Sequence, residues 1–263
     1  MDDAVSMRFE RPVTALELPF KHRADKMRGT MVQSQCCLTQ LRAFDTSRQS
    51  IWFPRTEFSL GLTLTNIAPS SELHSRLRQA TKAPHHLLDH HPVLAPLIKS
   101  GLTVTQYGLA LAALHGVYAQ AEGWVLEFLA EHPDLFDYQS RRKLPALESD
   151  LKALGRLPLA CNMQLSAEPT LGALVGILYA LEGSTLGGQF IARNLRLIPG
   201  ASLPIRFFSG YGDQSRQRWE EFLQFADSQC PLAEYEEAVS TAVSIFNVIR
   251  KHLDSAYNPD RIN

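Results

Sequence analysis

The sequence is short of the features that mark most catalytic and binding classes. Its four cysteines (Cys36, Cys37, Cys161, Cys230) fall into neither zinc-type spacing nor a disulfide framework. No glycine-rich loop follows a strand, which excludes dinucleotide and P-loop sites. Zincin and nucleophile-elbow motifs are absent, and no Glu-x-x-His pair supports a di-iron carboxylate bundle. Neither sign of charge dominates. With 26 Lys and Arg against 27 Asp and Glu, no general attraction to nucleic acid or to an anionic membrane is expected. The uncharged run before Glu182 is about a dozen residues, short of the ~20 that a membrane span requires. The amino terminus lacks a charged-then-apolar leader pattern, so the cytoplasm is the default location.

What is present is helical. Residues 1–70 mix Arg, Thr, Ser, Pro and Phe without a sustained period and read as an irregular or disordered extension. The alternating piece at 58–64 would be a strand with nothing to pair with. From Ser71 the pattern turns helical and stays so to about residue 258. Expected helices are Ser71–His91 (kinked or restarted at Pro84), Thr103–Glu131, Ser140–Leu154, one from Thr170, Ser215–Asp227 and Leu232–Leu253. This series predicts an all-α, single-domain helical bundle.

The stretch Thr170–Arg193 organises the chain. It spends five glycines in seventeen residues, Gly172 to Gly188, although each interior glycine costs a helix about 1 kcal/mol relative to alanine. Gly172, Gly176, Ala180, Gly183 and Gly187 follow one another at steps of four, four, three and four and so share one face. That face can pack a neighbouring helix closely, or admit something flat against the backbone. Packing suits Gly172 and Gly176. The Glu182–Gly188 segment, with three glycines, Ser184 and Thr185, instead predicts a bend or break that could hold a ligand.

The first helix carries a histidine group. His86 and His90 stand at i, i+4, a metal-chelating spacing, but on a polar face where a solvated patch is the plainer reading. His85 lies beside the apolar stripe of Leu77 and Leu88 and is either a structural core histidine or a ligand. A histidine facing a flat, side-chain-poor helix in an all-α frame would suit an iron-bearing macrocycle held between two helices.

These residues resemble heme oxygenases. Leu77-Arg78-Gln79-Ala80-Thr81, His85 and Leu88-Asp89 resemble the family's proximal helix. Tyr179–Gly188 resembles its distal helix in the bacterial form, and Ala242–Phe246 its last helix. The version here is most similar to bacterial enzymes that supply biliverdin to bacteriophytochromes. The resemblance implies that His85 is the axial ligand of heme iron and that Gly183 and Gly187 lie over the distal face. Gly188 would help the helix bend, and Arg78 and Tyr179 would pair with heme propionates. Ser184 stands where animal enzymes carry an aspartate, so the water network would be held by other groups, such as Arg193 or Glu182. His86 is the fallback ligand if Pro84 alters the aim of His85. The reaction implied is oxygen-dependent opening of heme, both substrate and cofactor, to biliverdin, carbon monoxide and ferrous iron. No flavin, nicotinamide or iron–sulfur motif is present, so a reductase or ferredoxin would supply electrons. The competing readings are a heme carrier or sensor on the same frame, and a structural helical domain without heme affinity.

Overall fold

The computed structural model describes residues 71–161, 168–198 and 202–257; segment 1–70 lies outside them. The described residues form seven α-helices: α1 (Glu72–Asp89), α2 (Val104–Ala130), α3 (Leu144–Ala153), α4 (Leu171–Arg196), α5 (Arg206–Ser209), α6 (Ser215–Gln229) and α7 (Tyr235–Ala256). Short 3-10 turns join several of them, and no strand occurs among the described residues. The all-α bundle read from the sequence is the fold observed.

Local chemistry sets the helix starts. The side chains of Ser71, Thr103 and Thr170 each accept a bond from the backbone N–H three residues on, a cap worth about 1 kcal/mol. α1 does not restart at Pro84 but runs through it. Proline removes one helical hydrogen bond, while Leu73, Leu77, Thr81, His85 and Leu88 all bury on one face and hold the helix together. α3 begins at Leu144, later than expected, with Pro145 in its first turn. The orphan N–H groups of Lys143 and Leu144 donate to Glu122 of α2 (2.6 and 3.1 Å), so the cap comes from a distant element. The four-residue α5 is likewise started from afar, by Asp150 accepting from Arg206 and Phe207 N–H.

In the bundle, α7 packs against both α1 and α4, while α4 also packs against α5 and α6. Gly172 and Gly176 make the α4–α7 contact possible. A Cβ on Gly172 would stand 2.6 Å from the Glu234 carbonyl, and one on Gly176 2.5 Å from that of Ala238. The close-packing reading of these two glycines is therefore what the fold uses. α4 is long and apolar enough to cross a membrane, but 83% of its most apolar window is buried inside the protein. It is the core helix of the bundle.

Candidate functional site

α1 and α4 both pack on α7, and Leu88 of α1 shares a cavity wall with Ala180, Leu181 and Ser184 of α4. On α1, His85 is 4% exposed. Its ring lies 5.6 Å from that of Phe246 on α7, and its Nδ1 is 3.2 Å from Asp89 Oδ2, one turn on. Asp89 is also buried, and among the described residues its carboxylate accepts no hydrogen bond, so the approach to His85 is a close charge contact only. A carboxylate beside Nδ1 restrains the ring, an arrangement common around metal-binding histidines. His86 and His90 are exposed. Their ring centroids lie 4.2 Å apart with the planes tilted by 30°, and His90 Nδ1 turns back to the His86 carbonyl at 2.9 Å. Among the described residues, no group of three or more metal-binding side chains exists.

Opposite, α4 carries Tyr179, Gly183, Ser184, Gly187 and Gly188. The helix is continuous through them, so the expected break does not occur. The hydroxyls of this segment bond within the helix: Ser184 and Thr185 donate back to the Leu181 and Glu182 carbonyls at 2.7 and 2.6 Å. Back-bonding of this kind bends helices without breaking them. Gly183 and Gly187 are buried. Gly188 turns toward α5, where a Cβ would meet the Phe208 carbonyl at 3.1 Å, so packing accounts for that glycine.

Tyr179 meets α1 through Thr81 and the ring of His74, 6.4 Å away. Burial pushes its hydroxyl up to about 12, against smaller downward pulls from Thr81 and the Arg78 guanidinium. Arg78 itself is exposed. The pair thus places a cation and a protonated phenol at one end of the α1–α4 region.

Ser184 has a partner that sequence reasoning missed. Tyr118 of α2 lies 2.6 Å from the Ser184 Oγ. Because Ser184 donates to Leu181, the Tyr118 hydroxyl is the donor to Ser184. Burial pushes the Tyr118 hydroxyl well above its ordinary pKa, so it keeps its proton at neutral pH. The two hydroxyls sit in the wall of a small cavity otherwise lined by apolar side chains such as Leu88, Leu114, Val117 and Phe246. Of the other groups considered for a distal network, Arg193 is exposed, and Glu182 is fully buried in an ion cluster behind α4. No sequence signal links Tyr118 to Ser184, since they are 66 positions apart.

Comparison with known proteins gives the family. The family model of heme oxygenases matches residues 71–254. The chain belongs to the heme oxygenase family. It is 34% identical over 111 residues to a heme oxygenase of Xanthomonas campestris pv. campestris, a match covering 41% of this chain and 62% of that relative. Two solved structures share the fold. One is heme oxygenase-1 from the cyanobacterium Synechocystis sp. in complex with heme, with TM-score 0.53 and 19% identity over 70% of this chain and 92% of the other. The second is the heme oxygenase of Leptospira interrogans, with TM-score 0.53 and 18% identity over 70% of this chain and all of that one.

Proposed function

We propose that this heme oxygenase family member opens heme to biliverdin, carbon monoxide and ferrous iron, using oxygen and electrons from a separate reductase or ferredoxin. The observation that carries the reading is the buried His85, with Asp89 3.2 Å from its Nδ1, on the helix whose Leu88 shares a cavity wall with Ala180, Leu181 and Ser184 of α4. Heme, when bound, supplies the iron that activates oxygen against its own ring. The protein's part is to hold, orient and protonate. His85 Nε2 would hold the heme iron, with the Asp89 carboxylate restraining the ring from the Nδ1 side. Gly183 and Gly187 would let the α4 backbone come close to the ring, where side chains would block it. Ser184, held by Tyr118, offers a hydroxyl from which an ordered water can be positioned. Arg78 and Tyr179 suit the propionates, one by charge and the other by a hydrogen bond.

The product's destination is proposed from the resemblance of Tyr179–Gly188 to enzymes that serve bacteriophytochromes. The site uses a cytoplasmic electron donor and needs no membrane or nucleic acid. The test is a hemin titration followed by addition of a reductase or ferredoxin system in air. Loss of the heme absorption band with growth of a biliverdin band is expected. A stable complex that never opens would replace the oxygenase with a heme carrier or sensor.

A further inference from the structure

Behind the glycine segment of α4 lies a buried group of charges that the reaction as described does not use. Glu182, one residue before Gly183, is 0% exposed. Its carboxylate accepts from Lys143 Nζ at 2.6 Å and Arg141 Nη1 at 3.1 Å. Tyr211, on the turn between α5 and α6, places its hydroxyl 2.9 Å from Glu182 Oε1 and also accepts from Lys143. Arg141 continues outward to Glu221 of α6 at 2.7 Å, and Glu221 also faces Arg218. From α2, Glu122 faces Arg142 at 3.4 Å and caps α3. The Tyr138 hydroxyl is buried and within electrostatic reach of Glu122, Glu182, Tyr211 and Tyr118.

Among pairs closer than 3.5 Å the group balances, with Arg218 a further cation at the rim, 4.0 Å from Glu221. Glu122, Glu182 and Glu221 face Arg141, Arg142 and Lys143, three consecutive cations on the link into α3. A buried carboxylate this close to α4's glycines is costly unless paired, and a core helix could carry leucine at position 182 at no such cost. The charge therefore asks for a role beyond packing.

We infer that Glu182, held by Lys143, Arg141 and Tyr211, is a positioning residue that fixes the Gly183–Ser184 segment and keeps the potential behind it neutral. This rests on the reading of that segment as the heme-facing side of α4. The linkage is direct along the chain: Glu182 is clamped from the α3 side, Ser184 from the α2 side by Tyr118, and Gly183 lies between them. A glycine at that point lacks a side chain of its own to set the helix's rotation, so its two neighbours set it.

The test reads the pH midpoint of the acid–alkaline absorption change of the ferric heme complex, which reports the proton affinity of a water on the side of the ring facing α4. Glu182→Gln leaves one cation in excess, since Arg141 keeps Glu221, and should lower the midpoint by about half a unit or more. Lys143→Met leaves a carboxylate in excess and should raise it by a similar amount. The double variant restores the balance and should return the midpoint toward that of the unaltered protein. Glu221→Gln, at the half-exposed rim, should give a smaller downward shift and serves if the core variants do not fold. A merely structural cluster would lower the melting temperature in both core variants while leaving the midpoints unmoved or moved in one direction, and either result overturns the inference. If the unaltered protein binds no hemin, the proposed function falls and takes the inference with it. If it binds hemin and the variants do not diverge, only the inference falls.

Discussion

The two halves of α4 repeat one sequence device for two purposes. In the first half, Gly172 and Gly176 face the α7 backbone so closely that even a methyl group cannot fit. In the second, Gly183 and Gly187 follow at the same helical spacing, but their neighbours Glu182 and Ser184 are clamped by polar groups from other elements. Small residues bring a helix close to whatever lies beside them. What lies there is decided by the flanking residues.

The largest effect expected on this contrast is from Gly176→Val. Its Cβ would be 2.5 Å from the Ala238 carbonyl and 2.8 Å from Thr241 Cβ, both on a packed helix that cannot yield without moving. A loss of about 3 kcal/mol or more in denaturant unfolding is expected, despite valine's better helix propensity. Gly183→Leu should give the inverse pattern: a smaller loss of stability, but at least about a tenfold loss of hemin affinity by absorption titration, roughly 1.4 kcal/mol. If the two substitutions gave the same ratio of stability loss to binding loss, the division of α4 into a packing half and a site half would be wrong.

Tyr118→Phe sharpens the second half alone. It removes the donor to Ser184 and leaves the ring packed against Phe207 at 5.1 Å. Stability should fall by about 1 kcal/mol, with hemin affinity unchanged and ring opening slowed in single-turnover absorption traces. Unaltered turnover would mean that the Tyr118–Ser184 pair serves only packing.

Much of this was legible before the structure, and the limits are informative. Helices started by their own caps, at Ser71, Thr103 and Thr170, could be read locally. Those started by a carboxylate from another element could not: α3 is capped by Glu122 and α5 by Asp150. At the site, His85 stood out by its position on an apolar stripe, and the glycines by their cost. Asp89 lay within the matching motif, but its role needed the 3.2 Å approach to Nδ1. Tyr118 and the Arg141–Lys143 run reach α4 only through tertiary contacts, and the bend or break expected over Glu182–Gly188 leaves α4 unbroken, its residues there mostly buried.

The smallest effect concerns the surroundings rather than the site. Burial lowers the pKa of His91 and His252 below the ordinary 6.5, with Asp254 and the Ala113 carbonyl, respectively, pulling weakly upward. A histidine with a lowered folded-state pKa takes up protons on unfolding, so stability falls as pH drops through and below 6.5. Thermal melts at pH 7.5 and 5.5 should show the lower value at pH 5.5, and His252→Gln should shrink the difference. A melting temperature that rose on acidification would reverse the sign assigned to these groups.

The central claim is that His85, and no other histidine of the cluster, faces the ligand. It is tested by titrating hemin into His85→Ala and His86→Ala and recording the ferric spectra with and without added imidazole. The account predicts an unaltered spectrum for His86→Ala, a lost axial-histidine signature for His85→Ala, and its return when imidazole fills the space left on α1. An unchanged His85→Ala spectrum, or loss in His86→Ala instead, would contradict it.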